Sequence, residues 1–149
     1  MSIDYSTIFN SLPEEKVLVG IVDLHKNIFG TSDDLITKMR SKQKLLVIIA
    51  MDGTKVIGYK IGYELDKNKF YSWLGGVDKN YRKHGIASEL MEKQHRYIKE
   101  QGYSVIQTKT MNKWRSMLVL NIKKGFDVTD TYIDEKGLHK IILEKKLLN

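Results

Sequence analysis

"FYSWLGGVDKNYRKHGIASEL", residues 70–90, decides how this chain folds. Its first eight residues are apolar and aromatic enough to form a strand. From Ile86 onward the chain turns helical: Ile86, Leu90, Tyr97 and Ile98 share one side, and Gly102 closes the element. Between strand and helix, Arg82, Lys83 and His84 crowd against Gly85 at what becomes the first helical turn. A helix start leaves backbone N–H groups unpaired and carries partial positive charge, so it attracts phosphate. Gly85 has no side chain to block that approach. A solvated helix start is the plain alternative, and the surrounding sequence decides between them.

Downstream, "YSVIQTKT" forms a strand, "NKWRSMLVLNIKKG" a helix ending at Gly125, and "FDVTDTYI" and "LHKIILEKKL" a final hairpin across "DEKG". Upstream, "KLLVIIA" and "VIGYKIGYEL" flank Asp52-Gly53, a strong hairpin signal. With the turn "DKNK" at 66–69, three consecutive strands make an antiparallel meander. Before them, Ser11 and Glu14 have capping-box spacing and Pro13 sits in the expected first turn of a helix. Val17, Ile21, Leu24 and Ile28 mark its buried face and Gly30 its stop. A shorter helix follows, with Ser32 as its cap and Leu35 and Met39 facing inward. The order is helices, three strands, helix, strand, helix, two strands. The strands on either side of the central helix are joined by a crossover, so they are parallel if they pair. A mixed α/β sheet results.

One domain over residues 1–149 is expected, since there is one proline and no linker, repeat or low-complexity tract. A hydrophobic share of 42% fits a folded globule. Absence of cysteine excludes disulfides, a thiolate zinc site and a Cys nucleophile. His25, His95 and His139 have no metal-like spacing, so no metal is expected. The first ten residues carry no basic segment followed by an apolar core, and no apolar run approaches the roughly 20 residues of a membrane span. A cytoplasmic location without membrane contact follows as the expectation. Net charge is +7, from 25 Lys and Arg against 18 Asp and Glu, and it favours anionic partners. The charges are scattered rather than blocked, which argues against nucleic acid.

Two phosphate-binding motifs fail. No Gly-Lys-[Ser/Thr] closes residues 81–90, and Gly75, Gly76 and Gly85 lack G-x-G-x-x-G spacing. The stretch instead resembles the acyl-CoA pyrophosphate motif of the GNAT superfamily of N-acyltransferases, [Gln/Arg]-x-x-Gly-x-[Gly/Ala], here Arg82-x-x-Gly85-x-Ala87. Val77 matches the family's hydrophobic strand residue, Gly125-Phe126 its later Gly-Phe, and the element order agrees from about residue 11 onward. The extreme N-terminal strand of many members is not evident.

The resemblance implies a GNAT-type sheet, mostly antiparallel, with a splayed parallel strand pair and flanking helices. It implies an acetyl-CoA-dependent N-acetyltransferase, with direct attack of a primary amine, in a small molecule or a peptide, on the thioester. Backbone groups of Arg82, Lys83, His84, Gly85, Ile86 and Ala87 would hold the pyrophosphate. Leu74, Gly75, Gly76 and Val77 would offer main-chain bonds to the pantetheine arm, and one N–H there would polarise the thioester carbonyl. Gly75-Gly76 suits either a bulge or a strand-end turn. Asn112, Lys113 and Arg115 either meet the nucleotide end or cap a solvated helix.

Many members carry a Tyr that protonates the thiolate four residues before the Gly of Gly-Phe; this chain has Asn121, which can only hydrogen-bond the sulfur. The acid is then Tyr132, Tyr71, a water or none. Glu64, the one acidic residue inside the central strands, is either the base or a solvent-facing strand end. Tyr63, Tyr71 and Trp73 either flank the cleft or pack the core. The catalytic candidates are thus Glu64, Tyr71 and Asn121. Asn121 also keeps open a non-catalytic acyl-CoA-binding domain, and the basic balance a nucleic-acid-binding module. The acceptor is unspecified, and the sheet edges leave room for a homodimer.

Overall fold

The computed structural model describes residues 2–147. A seven-stranded sheet has the order β1-β2-β3-β4-β5-β7-β6. Its strands are β1 (Ile3–Phe9), β2 (Leu46–Asp52), β3 (Lys55–Glu64), β4 (Lys69–Val77), β5 (Val105–Thr110), β6 (Asp127–Ile133) and β7 (His139–Lys146). Helices α1 (Glu15–Phe29) and α2 (Leu35–Arg40) precede β2. Helix α3 (Ile86–Glu100) connects β4 to β5, and α4 (Arg115–Lys123) connects β5 to β6. Every pairing is antiparallel except β4 with β5, as the crossover through α3 requires.

Leu46, Val47, Ile48, Ile49 and Ala50 are all buried, because β2 is covered on both faces and cannot alternate apolar with polar. Leu46, Ile48 and Ala50 join Ile86, Leu90 and Ile98 of α3; Val47 and Ile49 join Leu18, Ile21 and Leu24 of α1 and Leu35 and Met39 of α2. The sheet therefore carries α3 on one face and α1–α2 on the other. Among the described residues no helix is long and apolar enough to cross a membrane.

Several local expectations change. Residues 3–9 are a strand, paired from Ile3 with Asp52 to Phe9 with Leu46. Ser11 does not cap α1, which begins at Glu15 after Glu14 with no side-chain cap. Residues 10–13 instead carry the chain from the sheet to the helix: the Asn10 amide donates to the Leu45 carbonyl at 2.7 Å, and Pro13 precedes the first turn. Ser32 does not cap α2 either; Asp34, in the left-handed region at φ 58°, stands there. Leu18, outside the expected stripe, is buried beside Ile21 and Leu24, while Val17 and Ile28 are half-buried.

Ile48→Ala removes a fully buried side chain and is expected to lower unfolding free energy by about 2–5 kcal/mol. Ile133→Ala, at a position 69% exposed, should change it by less than about 0.5 kcal/mol. Urea denaturation of both variants checks the contrast.

Candidate functional site

β4 parts from β5 midway. Their pairing runs from Lys69 with Val105 to Ser72 with Thr108, and β4 then continues to Val77 paired only with β3. The Thr108 hydroxyl donates to the Ser72 carbonyl at 3.0 Å at the last paired position. One residue further, β4 bulges. Ile61 faces Leu74 but Gly62 faces Ser72, so Trp73 is the extra residue. Gly75 and Gly76 are not the bulge; they pair in regular register with Lys60 and Tyr59. Their lack of side chains is needed for another reason. A Cβ on Gly76 would lie 2.6 Å from Ile28 Cδ1, and one on Gly75 would lie 3.1 Å from Lys60 Cδ. Leu74, Gly75, Gly76 and Val77 thus turn main-chain groups toward a gap in the sheet.

The connection from β4 to α3 is fastened to the β2–β3 hairpin. The Asp78 amide donates to the Ile57 carbonyl at 2.8 Å, and the Tyr81 hydroxyl donates to Asp52 at 2.7 Å. The Asp78 carboxylate accepts from the Asn80 amide at 2.9 Å. Lys83 and Gly85 both adopt left-handed backbone, at φ 67° and 76°, and Gly85 is the N-cap of α3. Nothing lies within 4 Å of a Cβ on Gly85. None of the amides of residues 82–88 donates to a backbone carbonyl among the described residues. Ile86 is buried under the sheet, Ala87 half-buried, and Lys83 and His84 exposed. The exposed Arg82 folds back, its Nε donating to the Val77 carbonyl at 3.2 Å.

The catalytic candidates are not brought together. Glu64 accepts from the Tyr103 hydroxyl at 2.7 Å on the α3 face. Tyr63, its neighbour in β3, points to the other face, where its ring meets Tyr71 at 5.4 Å and Trp73 at 5.7 Å. Glu64 and Tyr71 therefore lie on opposite sides of the sheet. Burial raises the Tyr71 hydroxyl above its ordinary pKa, with Tyr63 and Tyr132 adding to the effect. Asn121 is 3% exposed in α4, and its carbonyl accepts from the Phe126 amide at 3.0 Å, shaping the turn through Gly125. Asn112, Lys113 and Arg115 are exposed at the start of α4.

On the α1–α2 face a cleft opens against the bulge, lined by His25, Thr31, Asp33, Lys38, Trp73 and Leu74. His25 Nδ1 is bonded to the Tyr59 hydroxyl at 2.5 Å. Burial, with Lys38 adding to it, lowers the His25 pKa from its usual 6.5, so the imidazole is neutral at pH 7. The sequence offered His25 only as a residue without metal spacing; what singles it out is the partner 34 positions away. Lys60 was equally hidden. It is 9% exposed, and burial lowers its pKa to about 8.

The unpaired amides before α3 suit phosphates, and the gap beside β4 suits a narrow chain with amide groups. Comparison with known proteins gives the same direction. Residues 7–115 match the model of the Acetyltransferase (GNAT) family. No curated protein matches the sequence significantly. Among solved structures, the ribosomal-protein-S18-alanine N-acetyltransferase from Escherichia coli is similar, with TM-score 0.82 and 14% identity, covering 99% of this chain and 96% of its own. A GNAT family acetyltransferase from Elizabethkingia anophelis with acetyl-CoA bound gives TM-score 0.74 and 18% identity, covering 97% of each chain. Aminoglycoside 6'-N-acetyltransferase complexed with coenzyme A gives 0.79 and 12%, covering 98% of each.

His95, on the α3 face, is held neutral by burial and by Lys145, Lys60 and Lys124, its pKa lowered to about 3. The unfolded chain takes up this proton as pH falls below 6.5 and the folded chain does not, so stability drops with pH from there toward about 3. His95→Leu should flatten that loss, seen as a smaller difference in urea midpoint between pH 7 and about pH 5.

Proposed function

Because the chain belongs to the GNAT acetyltransferase family, we propose that it is a single-domain enzyme transferring an acetyl group from acetyl-CoA to a primary amine. The observation that carries this reading is the departure of β4 from β5 after Ser72, directly ahead of the unpaired amides around Gly85. In it, residues 82–87 hold the pyrophosphate through main-chain N–H groups, supported by the partial charge at the start of α3. Residues 74–77 bond the pantetheine arm, and an amide freed near the Trp73 bulge polarises the thioester carbonyl. Acetyl-CoA supplies the activated acyl group, and the protein positions it.

The amine enters from the α1–α2 face, through the cleft beside Trp73 and Leu74. His25 accepts its surplus proton there, its imidazole neutral at pH 7 and turned by the bond to Tyr59. Glu64, occupied by Tyr103 on the far face, has no part in this step. Tyr63, Tyr71 and Trp73 form the wall against which the acceptor packs. Lys42 lies 4.6 Å over the Tyr63 ring and 4.9 Å over Trp73, so this wall is positively charged at its rim and disfavours polycationic acceptors.

Calorimetric titration with acetyl-CoA, followed by thiol release from a panel of amines, tests the reading. Saturable one-to-one binding and release with at least one amine are expected; no binding would contradict it. Gly85→Asp places charge and bulk where the phosphates dock, on a backbone already at φ 76°. It should weaken acetyl-CoA binding by about a hundredfold or more while circular dichroism shows a folded protein. Unchanged affinity would remove residues 82–87 from the site. Once an acceptor is known, turnover should rise with pH through a pKa below 6.5 as His25 loses its proton, and His25→Gln should remove that limb.

A further inference from the structure

Buried polar side chains gather under the gap on the α3 face: Lys60, Ser72, Gln94, His95 and Thr108. Gly58 of β3 faces Ile86 and Leu90 of α3, and Gly62 faces Gln94, so Lys60 between them points the same way. Lys60 has no hydrogen-bond or ion-pair partner among the described residues. Close by, both amide atoms of Gln94 and the Nε2 of His95 are buried without partners among the described residues. Lys60 is 9% exposed and its charge has no carboxylate beside it, which is costly, so a polar ligand is the natural complement. Its position names that ligand. A Cβ on Gly75 would lie 3.5 Å from Lys60 Nζ, so the ammonium rests against the part of β4 that β5 does not cover.

We propose that Lys60 is the proton donor to the departing CoA sulfur, a role that rests on the acetyl transfer proposed above. The amine lone pair forms the new N–C bond, and the C–S electron pair passes to sulfur. Sulfur takes the proton from the Lys60 ammonium and CoA leaves as the thiol. The surplus proton of the amine goes to His25, and solvent restores the proton on Lys60. Atoms and charge balance with no further reactant.

The surroundings suit this task. Burial lowers Lys60 to about 8, leaving it protonated at pH 7 yet near the roughly 8.5 of an ordinary thiol. From α3 it faces His95, which stays neutral; beyond lie Lys145 of β7 and Lys124 at the end of α4, both cations. Glu92, the nearby acid, is taken by Lys124 at 2.9 Å. Asn121 has no proton to give, so Lys60 supplies what that position lacks.

CoA itself is the probe, with the ultraviolet absorbance of its thiolate followed against pH in the complex. Bound to the wild-type protein, CoA should show about tenfold more thiolate at a given pH than free CoA, equivalent to one pKa unit. Lys60→Met, which removes a buried unpaired charge and should not destabilise the fold, should bind CoA yet lose that excess. Lys60→Arg should keep the excess, since the charge remains. A wild-type complex in which CoA titrates as it does free would overturn the role of Lys60, and so would an undiminished excess in Lys60→Met. Failure of wild-type protein to bind CoA at all would overturn the acetyl-transfer reading instead.

Discussion

The parallel pairing of β4 with β5 ends after four residues, and much of the molecule serves that ending. A parallel pair needs a crossover, and the crossover is α3, whose first turn consequently sits just beyond the end of β4. The bulge at Trp73 bends β4 at the point of departure, and the Thr108–Ser72 bond marks the last position where the strands hold together. Gly75 and Gly76 then let β4 run close under Lys60, Tyr59 and Ile28; a Cβ on Gly76 would displace the end of Ile28 and one on Gly75 would press on the Lys60 side chain. Main-chain groups that a regular sheet would satisfy internally are left facing the gap.

The two faces of the sheet carry different chemistry. On the α3 side, apolar packing by Ile86, Leu90 and Ile98 is interrupted by Lys60, Gln94 and His95, whose polar atoms are not all satisfied within the protein. On the α1–α2 side, aromatic rings dominate near the gap and lysines sit over them. In the proposed transfer, CoA would leave on the buried α3 side, beside Lys60, and the acceptor would arrive on the open, aromatic one.

Much of the architecture was legible because it rests on local signals. Asp52-Gly53 fixed the hairpin, the stripe through Ile86 and Leu90 fixed α3, and Arg82-x-x-Gly85-x-Ala87 pointed to the helix start. Strand β1 escaped because its burial is partial and it lies at the sheet edge, so "IDYSTIF" has no clear alternation. The Ser11–Glu14 spacing misled because capping-box residues are common in connections, and here the chain was still leaving the sheet. The bulge fell on Trp73 rather than on the glycines because register is set by pairing between strands, which no single segment encodes. His25 and Lys60 were opaque for the same reason. One is defined by Tyr59 across 34 residues, the other by burial against Gly75. Glu64 looked distinctive as the only acid within its strands, but tertiary pairing gave it to Tyr103.

The central claim is that the gap beside β4 and the amides before α3 form one continuous cofactor cradle. Amide hydrogen exchange with and without acetyl-CoA tests it most directly, since it reads the main-chain groups themselves. Added acetyl-CoA should slow exchange together at residues 74–77 and 82–87, which have main-chain groups free to bond it, with little change in β1 or β6. Protection confined to other elements, or none in either stretch despite saturating acetyl-CoA, would contradict the account.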